Sequence, residues 1–146
     1  LSELAEEEAG HFREMVALCL SRGLELGHPG PDPYVRALLA ETQKNGWKHR
    51  EDRLLICALI EARSCERLKL LSENLEDEEL RQTYGGFWRA EVPHYALFVE
   101  LAVRTRKHHL KIPEPDARKA TEKRLDELAI HEAAILQRLP IRPAIH

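Results

Sequence analysis

Three cysteines, one methionine, three phenylalanines, three tyrosines and two tryptophans are all that the 146 residues hold of those types. Each scarcity excludes something. An odd number of cysteines, Cys19, Cys57 and Cys65, scattered through apolar patterns, is no disulfide framework; it suits a reducing cytoplasm, with buried thiols acting as small hydrophobes. No apolar run approaches the roughly 18–20 residues that cross a bilayer, and no secretory signal is visible, so a soluble, cytoplasmic protein with no membrane partner is expected. There is no excess of positive charge. A formal charge of −3 excludes a strongly basic, non-specific nucleic-acid binder and leaves room for a nucleic-acid enzyme with a local basic patch. An initiator methionine is also lacking, and Leu1 opens inside a helical pattern. That predicts a single domain over 1–146 that is N-terminally incomplete.

What is abundant is Leu, Ala, Glu and Arg, with few β-branched runs, which predicts an all-α protein. Helices are expected from about Ser2 to Arg22, Pro33 to Gln43, Lys48 to Asn74, Glu76 to Lys107 and Ala117 to Leu139. Ser2 is the expected first cap, and the Gly27-His28-Pro29-Gly30-Pro31 cluster follows the first helix. Asp32-Pro33 is a cap followed by a first-turn proline. The fourth helix has a possible break at Gly85-Gly86. The middle of the third, Leu54 to Ile60, is apolar nearly all round and predicts the most buried helix.

Chemistry concentrates in two Glu-x-x-His pairs, Glu8/His11 and Glu91/His94, and in Glu61 on a helix between them. Residues three apart share a helix face, so each pair aims a carboxylate and an imidazole at one point. Di-iron bundles use two such pairs plus single glutamates from two other helices, and iron accepts that mixture of oxygen and nitrogen donors. All three motifs fall on apolar stripes: Leu4, Glu8, His11, Met15, Leu18; Leu54, Ala58, Glu61, Cys65, Leu68; and Phe87, Glu91, His94, Phe98, Leu101. Burying an acid costs several kcal/mol, roughly, unless something compensates, and a metal would. Glu66, flanked by Arg63 and Arg67, is the rival to Glu61 and better suited to ion-pairing beside the ligands or facing substrate. His131, near Glu127, is expected to be a partly buried structural histidine; without a second histidine it makes no zinc-protease motif. The Arg104–Lys111 stretch, with His108 and His109, is a candidate phosphate-facing patch.

The segments Glu7-Glu8-Ala9-Gly10-His11-Phe12, Leu59-Ile60-Glu61-Ala62-Arg63-Ser64-Cys65-Glu66-Arg67 and Glu91-Val92-Pro93-His94-Tyr95 resemble the tRNA hydroxylases of the MiaE type. The resemblance implies a ferritin-like four-helix bundle with an additional C-terminal helix, its first bundle helix missing here. It implies a non-haem di-iron monooxygenase that hydroxylates the isopentenyl group of 2-methylthio-isopentenyl adenosine in tRNA. The cofactors implied are two iron ions, with dioxygen as co-substrate and an external electron donor, so a redox partner protein is expected beside tRNA. Carried over, Glu8, His11, Glu61, Glu91 and His94 are metal ligands, a sixth is expected upstream of Leu1, and Arg63, Arg67 and the Arg104–Lys111 stretch are candidates for tRNA phosphates. Pro93, inside the second pair, departs from a plain helix and bears on where His94 points. Two alternatives stay open: another ferritin-like di-iron protein (peroxidase, small-substrate oxidase or iron store), and a metal-free helical interaction module.

Overall fold

A computed structural model describes residues 2–27 and 30–140. Leu1, His28, Pro29 and 141–146 lie outside the described residues, and with them the helical reading of Leu1 and part of the Gly27–Pro31 cluster. The described residues form five α-helices: α1 (Ser2–Ser21), α2 (Pro33–Ala40), α3 (Gly46–Asn74), α4 (Glu78–Leu110) and α5 (Glu114–Arg138). They fall into two compact units, residues 1–31 and 32–146.

The first unit is α1 and the segment after it. Ser2 is already helical rather than a cap. The helix closes on the amide of Gly23 bonding the Leu20 carbonyl at 3.0 Å and that of Leu24 bonding the Cys19 carbonyl at 3.0 Å. This crossed pair needs a left-handed residue, and Gly23 at φ 70° supplies it without a Cβ penalty.

The second unit is a helical assembly in which α3 and α4 pair along their length and α5 lies against both, with short α2 on α3 and α5. α2 starts as its sequence dictates: the Asp32 carboxylate accepts the Tyr34 and Val35 amides at 2.7 and 3.1 Å, with Pro33 in the first turn. It stops at Ala40, short of the expected Gln43. α3 begins two residues early, on Gly46. Asp77 caps α4 through the Leu80 amide at 3.0 Å. α4 is unbroken for 33 residues through Gly85, Gly86 and Pro93, about 50 Å. Continuous packing along α3 outweighs the cost of two glycines and an interior proline, about 5 kcal/mol together. It ends on Lys111 in the left-handed conformation, and Pro113 follows.

The core joins Tyr34 and Leu38 of α2, Leu55, Ile56 and Leu59 of α3, Ala102 of α4, and Leu125 and Leu128 of α5. Each large aliphatic buried there contributes about 1.5–3 kcal/mol. The expected α5 stripe of Leu125, Leu128, Ile135, Leu136 and Leu139 faces this core.

Candidate metal centre

Among its described residues the second unit buries seven polar or charged ones, and six of them sort into three groups along its length. Near the start of α3 lie Glu51 and Asp52, both fully buried. Glu51 holds the Arg106 guanidinium through two bonds of 2.6 and 2.8 Å and accepts the Thr121 hydroxyl at 2.9 Å. Asp52 holds Arg124 through two bonds of 2.9 Å and accepts the Gln43 amide at 2.7 Å. In a second group the Tyr34 hydroxyl donates to Glu132 at 2.7 Å, and Arg63 reaches the same carboxylate oxygen at 3.3 Å. Burial and then the Glu132 carboxylate push the Tyr34 hydroxyl well above its ordinary pKa.

The third group is the candidate centre. Glu91 and His94 are 6% and 4% exposed, on the α4 stripe that begins at Phe87. A Glu91 carboxylate oxygen lies 2.6 Å from His94 Nδ1. The helix is intact across Pro93, so both side chains keep the i, i+3 relation and aim at one point. Opposite them on α3, Glu61 is half-buried rather than buried. Cys65 registers both acids: burial pushes its thiol up, and the Glu91 and Glu61 charges push it further. Cys57, one turn before Glu61, is raised by burial and then by Glu61. Two carboxylates and an imidazole thus bear on one stretch of the α3–α4 pair.

In the first unit, a Glu8 oxygen lies 3.8 Å from His11 Nδ1. The His11 side chain is 19% exposed and that of Glu8 is 46% exposed. The expected placing of Glu8 within an apolar seam is therefore corrected: α1 is acid-rich around it, with Glu3, Glu6 and Glu7 exposed alongside.

Other residues marked by the sequence are mostly held in ion pairs. Arg63 is turned to Glu66, at 2.6 Å, and to Glu132; Arg67 is half-buried. The Arg104–Lys111 stretch is largely neutralised, Arg104 by Glu100, Arg106 by Glu51 and Lys107 by Glu114. His131 is exposed and faces Glu41 at 2.5 Å, while Glu127 pairs with Arg124. Sequence reasoning missed the Glu51, Asp52 and Glu132 pairs. Their only sequence signal was acids at core-facing positions, the same signal that marked Glu91.

An all-helical chain with buried Glu-x-x-His donors is the class of the ferritin-like carboxylate proteins. In agreement, the chain is similar to a solved Synechococcus protein described as having aldehyde deformylating oxygenase activity. The TM-score is 0.79 and the identity 35%, over 97% of this chain and 66% of that one. The profile of the family described as tRNA-(MS2IO6A)-hydroxylase (MiaE) matches residues 1–146, and the chain belongs to that family. Two relatives bear the name tRNA 2-(methylsulfanyl)-N(6)-isopentenyladenosine(37) hydroxylase. One, from Pseudomonas putida, is 35% identical over 102 residues, 70% of this chain and 49% of its own length. The other, from Salmonella typhimurium, is 31% identical over 99 residues, 68% of this chain and 36% of its own. The chain thus spans half or less of the curated relatives that it matches. Among the described residues, no helix is long and apolar enough to cross a membrane.

Proposed function

We propose that the chain carries the catalytic helices of a non-haem di-iron tRNA hydroxylase, acting on the isopentenyl group of 2-methylthio-isopentenyl adenosine. Glu8, His11, Glu61, Glu91 and His94 are the ligands in this reading. The observation that carries it is the Glu91–His94 pair: a carboxylate and an imidazole, both nearly inaccessible, 2.6 Å apart in a member of this family. The donor chemistry fits iron, which takes carboxylate oxygen and neutral imidazole nitrogen together. Glu91 and His94 Nδ1 lie within hydrogen-bonding distance, so a cation would find both donors side by side.

Iron held there would supply the activation of dioxygen needed to hydroxylate an allylic carbon. One oxygen atom ends in the alcohol and the other in water, with two protons and with two electrons from an external donor, in this reading a redox partner protein. The chain's own part is to hold and exclude. Glu91 and His94 share the α4 stripe of buried Phe87, and their own burial limits the access of bulk water to them. Arg63 and Glu66 are paired with each other.

The test uses the full-length protein. Nucleoside mass spectrometry of tRNA from cells with and without it is expected to show the hydroxylated prenyl adenosine only in its presence. An unchanged profile sinks the substrate assignment. The activity described for the Synechococcus protein favours one alternative, an oxygenase of an aldehyde. That reading predicts turnover of a free aldehyde and an unmodified tRNA.

A further inference from the structure

Resting on the tRNA-hydroxylase reading, we propose that Lys44, Lys48, Arg50 and Arg53, at the N-terminal end of α3, form the surface that takes the phosphates of the RNA. The strip of Leu54 and Cys57 leads from that surface toward Glu61.

Charge is the first argument. The chain is net negative, and several of its cations are neutralised in ion pairs. Lys69 lies by Glu73, Arg81 by Glu78, Arg104 and Arg118 by Glu100, and Lys107 by Glu114. The start of α3 is different. Between Thr42 and Ile60 the only acids are Glu51 and Asp52, and both are fully buried against Arg106 and Arg124. Lys44, Lys48, Arg50 and Arg53 are all exposed. The fold has turned both acids of this segment inward and left four cations facing water. A cationic surface on an acidic protein raises the local concentration of a polyanion, which the net charge alone would repel.

Shape is the second argument. A groove of about 340 Å³ is lined by His49, Arg50, Arg53, Leu54 and Cys57, all on one side of α3. Arg50, Leu54, Cys57 and Glu61 follow one another at i, i+4, i+7 and i+11, so they share one helix face. Arg53 and Glu61 are eight residues apart, about 12 Å along the helix. The order along that face is cation, apolar strip, carboxylate. A nucleotide with a hydrocarbon tail on its base has the same order, a phosphate at one end and an oxidisable carbon at the other. Beside the groove, Trp47 stacks on His109 with ring centroids 5.0 Å apart. Lys48 and Arg106 lie 5.9 and 5.6 Å from its ring, which braces the base of the patch across α3 and α4. Phosphate contacts of this kind set register and leave base recognition to the pocket.

The experiment uses the full-length, iron-loaded protein with all four cations replaced: Lys44→Gln, Lys48→Gln, Arg50→Gln and Arg53→Gln. The probes are an anticodon stem-loop RNA bearing the prenylated adenosine, and the free nucleoside. In fluorescence anisotropy at 0.1 M salt, RNA affinity is expected to fall at least about tenfold. The slope of log affinity against log salt shrinks by roughly 3. Iron content and hydroxylation of the free nucleoside stay at wild-type levels. Lys119→Gln with Lys123→Gln on α5, a control for net charge, leaves RNA affinity unchanged. Should the quadruple variant not fold, the single Arg50→Gln and Arg53→Gln variants are each expected to lower the slope by about 0.7. Wild-type affinity and slope in the quadruple or single variants overturns the proposal, and so does an equal loss in the α5 control. RNA bound through the patch without hydroxylation removes the functional reading and keeps the surface. A wild-type protein that binds no RNA removes both.

Discussion

Two acids four decades of sequence apart, Glu51 and Glu91, are both buried, and their surroundings give them opposite uses. Glu51 is fully enclosed and met by a guanidinium through two bonds, with a hydroxyl completing its shell. Glu91 is met by an imidazole. A guanidinium stays charged at any working pH, so the Glu51–Arg106 pair is closed and has no affinity left for a cation. An imidazole is itself a metal ligand, so the Glu91–His94 pair presents two donors that a metal can take. Burial of an acid therefore does not identify a metal site. The identity of the side chain opposite it does.

The same conservative change at each site breaks or upholds this contrast. Glu51→Gln leaves Arg106, whose side chain is 16% exposed, as a largely buried charge without its partner. Urea denaturation is expected to show a loss of about 3 kcal/mol, near the low end for broken buried pairs because some water reaches the guanidinium. Glu91→Gln keeps a hydrogen bond to His94. Its cost in the metal-free protein is expected to stay below about 1 kcal/mol, while metal analysis shows iron affinity reduced more than about 100-fold. Equal losses of stability at the two positions would erase the distinction between a structural and a ligand acid.

Glu132 is the intermediate case, sharing one carboxylate oxygen between the Tyr34 hydroxyl and Arg63. Tyr34→Phe removes the hydroxyl and leaves the guanidinium. The expected loss is about 2 kcal/mol, since a hydrogen bond to a charged acceptor is lost in the core. A smaller loss than at Glu51 is the point of comparison, because the charge of Glu132 is still answered.

How much of this was legible beforehand differs between fold and site. The all-α class and five helices followed from composition and periodicity, and Asp32-Pro33 located a helix start to the residue. The unbroken α4 was not legible: Gly85, Gly86 and Pro93 are local signals for interruption, and packing against α3 overrides them. At the site, spacing placed Glu91 and His94 on a buried stripe. It could not separate them from Glu51 and Asp52, because Arg106 and Arg124 lie more than fifty residues away in sequence and only the fold brings them in. Spacing also overstated Glu8, since a stripe of apolar neighbours says which face a residue occupies but not how much of that face is covered. The cationic start of α3 was hidden for the complementary reason. In sequence Glu51 and Asp52 cancel Arg50 and Arg53; in the fold they are buried.

The smallest expected effect probes the open side of the comparison through its thiols. The thiolate is the reactive form of cysteine, and burial holds Cys57 and Cys65 above the ordinary thiol range, so both are expected to alkylate more slowly than free cysteine at pH 8. The Glu61 charge adds to the effect at both, and that of Glu91 at Cys65. Removing a negative charge stabilises the thiolate and lowers the thiol pKa. In the metal-free protein, Glu61→Gln should therefore speed iodoacetamide labelling of both cysteines by less than about tenfold, with the rate still below that of free cysteine because burial is the larger cause. Peptide mass spectrometry resolves the two sites. Labelling of Cys57 and Cys65 that ignores Glu61→Gln would mean that its carboxylate does not act on this face of α3, and Glu61 would lose its place beside Glu91 and His94.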